Sequence, residues 1–487
     1  MKKIQFKYLL VSFAVFGTPT LLNATSLLEV YQQALQSDPL IHEAESRRLA
    51  ALETLPQARS SLLPQINASG SWTTSSEFGE GIQIFDSTRN TFRPISSKSE
   101  SDTTRWSVEL RQTLFRWDQI LTLKQADKRI AKAEANREAA HQDLIVRVAA
   151  RYFGVLGAED RLTSIHADRL AIAKRLAQAK QRFEVGLIAI TDVQESQAAY
   201  DQTVASEIQA KRELATSREF LREITGEYVS MLSAPGDDFP LPSPNPIDER
   251  SWIDLAMKQN LALISSRLDE KIARDEILFR RNGHYPSIDL VANTGGTDAK
   301  TETTVTKYGE FFPSPELGFN PFFATNSVRE QDSISLQITL PLFSGGRTSS
   351  KIREAVYLHR AMREQLQRVT RATERATRDA YLGVLSEISR VKALKQAVAS
   401  SRTALEATKT GFDVGTRTIV DVLNSQRSLY VAITNYYQSR YVYIGNVLLL
   451  KQASGTLKIE DLEQINNWLE ARMPPEQAIA KEKQKSG

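Results

Sequence analysis

Four stretches of the chain alternate apolar and polar residues with a period of two. Trp106, Val108, Leu110 and Leu114 alternate with Ser107, Glu109, Arg111 and Thr113. Ile334, Leu336, Ile338 and Leu340 alternate with Ser333, Ser335, Gln337 and Thr339. Their expected partners set Ile66, Ala68, Gly70 and Trp72 against Gln65, Asn67, Ser69 and Ser71, and Ile288, Leu290 and Ala292 against Asp289 and Asn293. This period predicts strands with one apolar and one polar face. Gln112 on the apolar side and Val291 on the polar side interrupt it. Two constructions fit: a soluble sheet covered on one side, or a membrane barrel wall with lipid outside and a wet lumen inside. Strands of about 9 to 11 residues suit the second. The polar stretches Ser75 to Thr104 and Gly295 to Asp332 read as outward loops. Phe311-Phe312 and Phe322-Phe323 would pack at a membrane interface or inside the second loop.

The rest of the chain reads as helix. No proline occurs from Ile95 to Ala234 or from Leu342 to Met473, and these runs are rich in Ala, Leu, Gln, Glu, Arg and Lys. Proline costs about 3 kcal/mol inside a helix, and the enriched residues are good helix formers. Asp118 and Ser344 are expected caps, with helices running from there to Val185 and Val414. About 68 residues at ~1.5 Å each is on the order of 100 Å. Return helices should reach Tyr228 and Ala453. Earlier helices are expected over Ser26 to Leu62, interrupted at Pro39 and Pro56, and over Ser251 to Asn282. Recurrent small residues such as Ala126, Ala131 and Ala135 allow close helix approach, although alanine also simply favours helix.

The long helices break at two nearly identical turns. Phe183-Glu184-Val185-Gly186-Leu187-Ile188-Ala189-Ile190-Thr191-Asp192-Val193 returns as Phe412-Asp413-Val414-Gly415-Thr416-Arg417-Thr418-Ile419-Val420-Asp421-Val422, offset by 229 residues. The offset holds without a gap from Tyr152/Tyr381 to Gly226/Gly455. Such long repeats mean two homologous halves rather than a solenoid. The expected divisions are a signal peptide at 1–24, a first repeat at 25–229, a proline-rich linker at 230–250, a second repeat at 251–472 and a disordered tail at 473–487.

Composition narrows the function. Lys2, Lys3 and Lys7 followed by apolar Tyr8 to Phe16 read as a secretory signal, with Leu22-Asn23-Ala24 as the expected cleavage site; an uncleaved membrane anchor is the alternative, for which the apolar run is short. Those lysines carry most of the net charge of +4, which leaves no case for nucleic-acid binding. The chain has no cysteine, so disulfides and thiolate metal sites are excluded. Its five histidines, His42, His141, His166, His284 and His359, lack metal-ligand spacing. No phosphate-binding glycine loop or nucleophile motif occurs. Neither enzyme activity nor a cofactor is expected.

Four strands cannot close a membrane barrel, for which about eight is the minimum. An open edge in lipid leaves backbone groups unpaired at several kcal/mol each. Spanning strands therefore require association. Two copies would supply about eight strands and three about twelve, and either number is allowed.

The duplication, the stretch Pro341-Leu342-Phe343-Ser344-Gly345-Gly346-Arg347 and above all the paired turns resemble the TolC-like outer-membrane channel proteins of bacterial efflux and type I secretion. The resemblance covers nearly the whole mature chain. It implies an α+β membrane protein: duplicated long-helix hairpins form an α-helical barrel joined to a transmembrane β-barrel, with four strands per chain in a homotrimer. It places the protein in the outer membrane, extending into the periplasm, with a periplasmic adaptor, an inner-membrane transporter and outer-membrane lipid as partners. Val185, Gly186, Leu187, Val414, Gly415 and Thr416 would be adaptor-contact turns at the periplasmic tip. Arg417 would be a gate latch bonding Thr191 and Asp192 across neighbouring coils, and Asp421 would project into the entrance as a cation-favouring ring. Ordinary surface ion pairs are the alternative for both residues. Phe412 stands where the family often has tyrosine, Asn424 where it often has an acid, and Ile188 is the first-half counterpart of Arg417. These departures imply a gate with fewer polar ties. A periplasmic adaptor or structural coiled coil of an export complex is the competing reading; an adaptor would need only one hairpin.

Overall fold

The computed structural model describes residues 24–86, 91–229, 231–236, 239–308 and 322–471. The expected signal segment up to Asn23, Phe311-Phe312 and the tail at 473–487 lie outside them. The elements in chain order are α1 (Leu27–Ser37), α2 (Pro39–Leu52), α3 (Thr54–Ser60), β1 (Gln65–Asp86), β2 (Thr91–Phe115), α4 (Trp117–Glu184), α5 (Ile190–Thr225) and β3 (Ser233–Pro235). There follow α6 (Glu249–Gln259), α7 (Leu261–Arg281), a 3-10 turn (Asn282–His284), β4 (Ser287–Tyr308), β5 (Phe322–Thr339), α8 (Arg347–Asp413), α9 (Ile419–Ser454), α10 (Ile459–Asn466) and β6 (Leu469–Ala471). The chain divides into two compact units, and α4 and α8 contribute residues to both.

One unit comprises residues 47–134 and 266–366. Its sheet has the order β1-β2-β4-β5, antiparallel throughout. Residues paired across strands share a face, so register sorts the side chains. Ile66, Leu110, Ala292 and Ile334 form one row of the apolar face. Another row reads Gly70, Trp106, Gly296, Glu330. A Cβ on Gly296 would lie 2.6 Å from the Trp106 Nε1; the glycine leaves room for the indole. This face is open in the single chain: Trp72 is 72% and Ile334 80% exposed. Apolar exposure continues past the strands at Leu342 and Phe343. Trp106 to Leu114 spans about 26 Å along the strand at ~3.3 Å per residue, close to the apolar band of an outer-membrane barrel.

The strands are longer than the alternation indicates. β1 continues to the Asp86↔Thr91 pair and β4 to Thr304↔Phe322. The expectation of loops over Ser75 to Thr104 and Gly295 to Asp332 is therefore corrected. Ladder hydrogen bonds need no apolar face, and with polar residues on both faces the period-two signal disappears. Hydroxyls bridge the strands instead, Ser99 to Thr303 at 2.8 Å and Ser101 to Thr301 at 3.0 Å.

The expected caps are also corrected. α4 begins at Trp117, so Asp118 sits inside its first turn. Gly345 and Gly346 carry positive φ values of 61° and 80° and delay the start of α8 to Arg347. The Ser344 hydroxyl meets that of Thr348 at 3.0 Å instead. In the same unit Lys132 pairs with Asp269 at 2.6 Å, joining α4 to α7, and His359 bonds Glu270 at 2.7 Å, joining α8 to α7.

The other unit comprises residues 24–46, 135–265 and 367–471 of the described chain. Leu27, Val30, Tyr31 and Ala34 of α1 pack with Leu144, Tyr152 and Leu156 of α4, Leu214 and Leu221 of α5, Val384 of α8 and Ile444 and Leu448 of α9. The i, i+3, i+4, i+7 spacing in α1 puts its four residues on one helical face. The α1–α2 break falls at Pro39, as expected, and the Asp38 carboxylate accepts from the Leu40 N–H at 2.9 Å. The α6–α7 break carries no proline. Asn260 makes it, accepting from the Leu263 N–H at 3.0 Å and donating to the Ala453 carbonyl at 2.9 Å.

The proline-rich segment is tied down by its carbonyls. Tyr152 donates to Ser233 at 2.6 Å, Tyr443 to Pro242 at 2.7 Å, and Tyr381 to Ile247. Arg440, 1% exposed, donates to the Pro235 and Gly236 carbonyls and lies over the Phe239 and Tyr436 rings. β3 then pairs with β6.

Gly455 ends α9 in the left-handed region, at φ 75°, and a Cβ there would overlap the Gln259 carbonyl. Gly455→Ala therefore meets both backbone strain and a backbone neighbour. It should destabilise the protein by about 2 kcal/mol or more, read as a lower urea-unfolding midpoint; an unchanged midpoint would contradict the packing described.

Candidate functional site

Both repeated turns are built the same way. Gly186 has φ 75° and Gly415 φ 81°, a conformation that costs glycine little. The Gly186 N–H donates to Phe183 O at 2.9 Å and the Leu187 N–H to Arg182 O at 2.8 Å. The Gly415 N–H donates to Phe412 O at 3.1 Å and the Thr416 N–H to Gly411 O at 2.8 Å. Each is a Schellman motif, which satisfies the last carbonyls of the incoming helix. The side chains point outward: Val185, Leu187 and Val414 are about 70% exposed. Three exposed apolar side chains on two neighbouring turns form a surface suited to contact.

Beyond the glycines the two copies diverge. Thr418 caps α9 in a reciprocal box: the Asp421 N–H donates to the Thr418 hydroxyl at 3.3 Å, and the Thr418 N–H donates to the Asp421 carboxylate at 2.9 Å. These hydrogen bonds hold the Asp421 carboxyl below the ordinary value of 3.8, with the Arg417 charge a smaller contribution. In the first copy Ala189 stands in the cap position and provides no side-chain bond. Asp192, the counterpart of Asp421, is thereby relieved of capping.

The expected latch residues are not joined within one chain. Among the described residues Arg417 makes no hydrogen bond or ion pair with Thr191 or Asp192. Its exposed side chain lies against Gly411, where a Cβ would come within 2.8 Å of the Arg417 Cγ. Ile188, at the equivalent position, lines a small cleft with Phe412 and Ile419, bounded by Arg175, Arg182 and Asp192. One turn thus directs an apolar residue between the hairpins, while the other exposes a guanidinium.

The ties between hairpins come mainly from residues outside the expected latch. Arg182 reaches Asp413 at 3.6 Å and lies 5.0 Å from the Phe412 ring centroid, a cation–π contact. Phe412 thus contributes through its ring face. Gln426, 2% exposed, accepts from Arg175 at 3.1 Å and donates to Asp168 at 2.8 Å, bridging α4 and α9. Burial pushes the Asp168 carboxyl up, against the Gln426 bond, and burial pulls Arg175 down. The available signal was weak. Gln426 recurs as Gln197, but Gln197 is only half-buried and donates to Asp201 on its own helix.

With this geometry established, relatives can be compared. The outer membrane efflux protein family matches residues 30–227 and 252–456. Outer membrane protein TolC of Vibrio cholerae is 34% identical over 458 residues, covering 94% of this chain and 97% of its own. Alkaline protease secretion protein AprF of Pseudomonas aeruginosa is 26% identical over 443 residues, covering 90% and 86%. The crystal structure of the Campylobacter jejuni CmeC outer membrane channel shares the fold with a TM-score of 0.69 at 14% identity, covering 96% of this chain and 98% of that one.

The capping asymmetry has a measurable consequence. A carboxylate held below its unfolded pKa stabilises fully above that value and loses its contribution as pH falls through the folded one. Hydrogen-exchange protection in the first turn of α9 should therefore be intact at neutral pH and fade below pH 3.8. The first turn of α5, without this box, should change little. Equal acid sensitivity in both turns would contradict the assignment.

Proposed function

The chain belongs to the outer membrane efflux protein family, and from that premise we propose that it acts as a homotrimeric duct whose opening is set at the two glycine turns. It is an outer-membrane exit channel of the efflux and type I secretion class, extends into the periplasm and is a non-enzymatic transport protein. The observation that carries association into a closed barrel is the open sheet, and the number three comes with the family. Among the described residues β1 and β5 are unpaired edges of a four-stranded sheet with an exposed apolar face, and lipid tolerates only a closed ladder. Pairing β5 of one copy with β1 of the next extends the ladder, and three copies make about twelve strands, within the range of known barrels.

The gate reading rests on the difference between the turns. Arg417 is exposed and holds a permanent charge with several donors. Asp192 is free of the capping duty that occupies Asp421. A guanidinium from one coil and this carboxylate with Thr191 from the neighbouring coil are complementary, and their bonding holds the entrance narrow. Ile188 packs between the two hairpins of its own chain instead of reaching to a neighbour, so each chain supplies one latch. The exposed Val185, Leu187 and Val414, with Gly186, Gly415 and Thr416, offer the grip for a periplasmic adaptor. That adaptor couples the duct to an inner-membrane transporter, which selects the cargo.

Arg417→Ser should raise single-channel conductance in planar bilayers, since it removes the donor side of the latch; unchanged conductance would sink the gate assignment. Ala189→Thr supplies the missing cap and draws Asp192 into a box like that of Asp421. It should raise conductance in the same direction but less. A fall, or an effect that persists undiminished when combined with Arg417→Ser, would show that Asp192 is not the acceptor.

A further inference from the structure

The register of the sheet sets two arginines in one row of its polar face. Ser71 pairs with Arg105, Arg105 with Thr297, and Thr297 with Arg329. Arg105 and Arg329 are two strand spacings apart, about 9 to 10 Å between backbones. The Arg105 Nε lies 3.4 Å from the Thr297 hydroxyl, so its side chain leans across β4 toward Arg329. Two like charges flank one threonine, and an oxyanion placed between them would bond to both.

No carboxylate on this face answers them nearby. The next row on one side holds Ser107, Gly295 and Gln331, and on the other Thr103, Ala299 and Ser327. Glu109, two rows away, is already paired with Arg111 at 3.3 Å. Both arginines are exposed, and among the described residues neither makes an ion pair.

We propose that Arg105 and Arg329 form an anion-binding girdle on the lumen wall, built to take soluble solutes bearing clustered oxyanions such as phosphate or sulfate groups. The inference rests on the barrel reading above, in which the polar face lines the lumen. Guanidinium forks match oxyanion geometry and keep their charge at every relevant pH. In a closed trimer three copies of the pair ring one level of the channel, where low-dielectric walls focus their field.

The test uses the whole protein in planar bilayers, with sodium tripolyphosphate added to either compartment. The anion should reversibly lower single-channel conductance of the wild type. Arg105→Gln/Arg329→Gln should need roughly tenfold more anion for the same block, while Arg105→Lys/Arg329→Lys should stay close to wild type. A wild type indifferent to tripolyphosphate, or a glutamine variant blocked equally well, would overturn the girdle. If the double glutamine variant does not assemble, Arg105→Gln and Arg329→Gln alone should each weaken the block, and undiminished block in both would overturn it equally. Wild-type protein that forms no conducting assembly at all would instead refute the barrel reading.

Discussion

Backbone hydrogen bonding in lipid is the constraint on which this protein depends. A strand in a bilayer must satisfy every N–H and C=O through its neighbours, because no water can. Among the described residues this chain supplies one four-stranded sheet and leaves its two edges open. Side chains such as Trp72 and Ile334 stay exposed on its apolar face. A soluble sheet would cover that face and a complete barrel would have no edge. The single chain is therefore a segment of wall, and the remaining hydrogen bonds must come from other copies. Where the strands pass beyond the apolar band, hydroxyl bridges and ladder bonds continue without any apolar pattern.

The duplication solves a second problem, how to turn two very long helices at one end. Each copy uses a glycine in the left-handed region and a Schellman pair, so the backbone geometry is nearly identical. The side chains around it have diverged. Thr418 and Asp421 close a capping box, while Ala189 leaves Asp192 without one. Ile188 lines the cleft between hairpins, while Arg417 stands exposed. An exact repeat would place the same chemistry at every turn. Divergence lets one turn carry polar ties and the other packing.

The connection between the halves shows how a buried polar group can be useful. Arg440 has no carboxylate partner among the hydrogen bonds that hold it; it donates to carbonyls of the proline-rich segment and rests on aromatic faces. Prolines leave many carbonyls without helical or sheet partners, since the ring removes the N–H that would continue a ladder. Tyr152, Tyr381 and Tyr443 serve the same purpose. These donors come from α4, α8 and α9, so the segment is fastened to helices of both repeats.

Much of this was legible in the order of residues. Period two marked the apolar stretches of all four strands, the absence of proline marked the long helices, and the repeated glycines located both turns within a residue or two. These signals are local, because each reflects the conformational preference of a few neighbouring side chains. The polar halves of the strands were missed, since a ladder wet on both faces needs no alternation. Ser344 is not a cap because two consecutive glycines move the start of α8, and Asp118 is not one because α4 already begins at Trp117. The Arg175–Gln426–Asp168 bridge and the Arg105–Thr297–Arg329 row could not be read at all. Their members lie far apart in the chain, and only helix packing and strand register bring them together. Helices, strands and turns follow from the order of residues, because those choices rest on local backbone energetics. Which charges meet follows from the folded arrangement alone, because that depends on alignment between distant segments, which no short stretch of residues encodes.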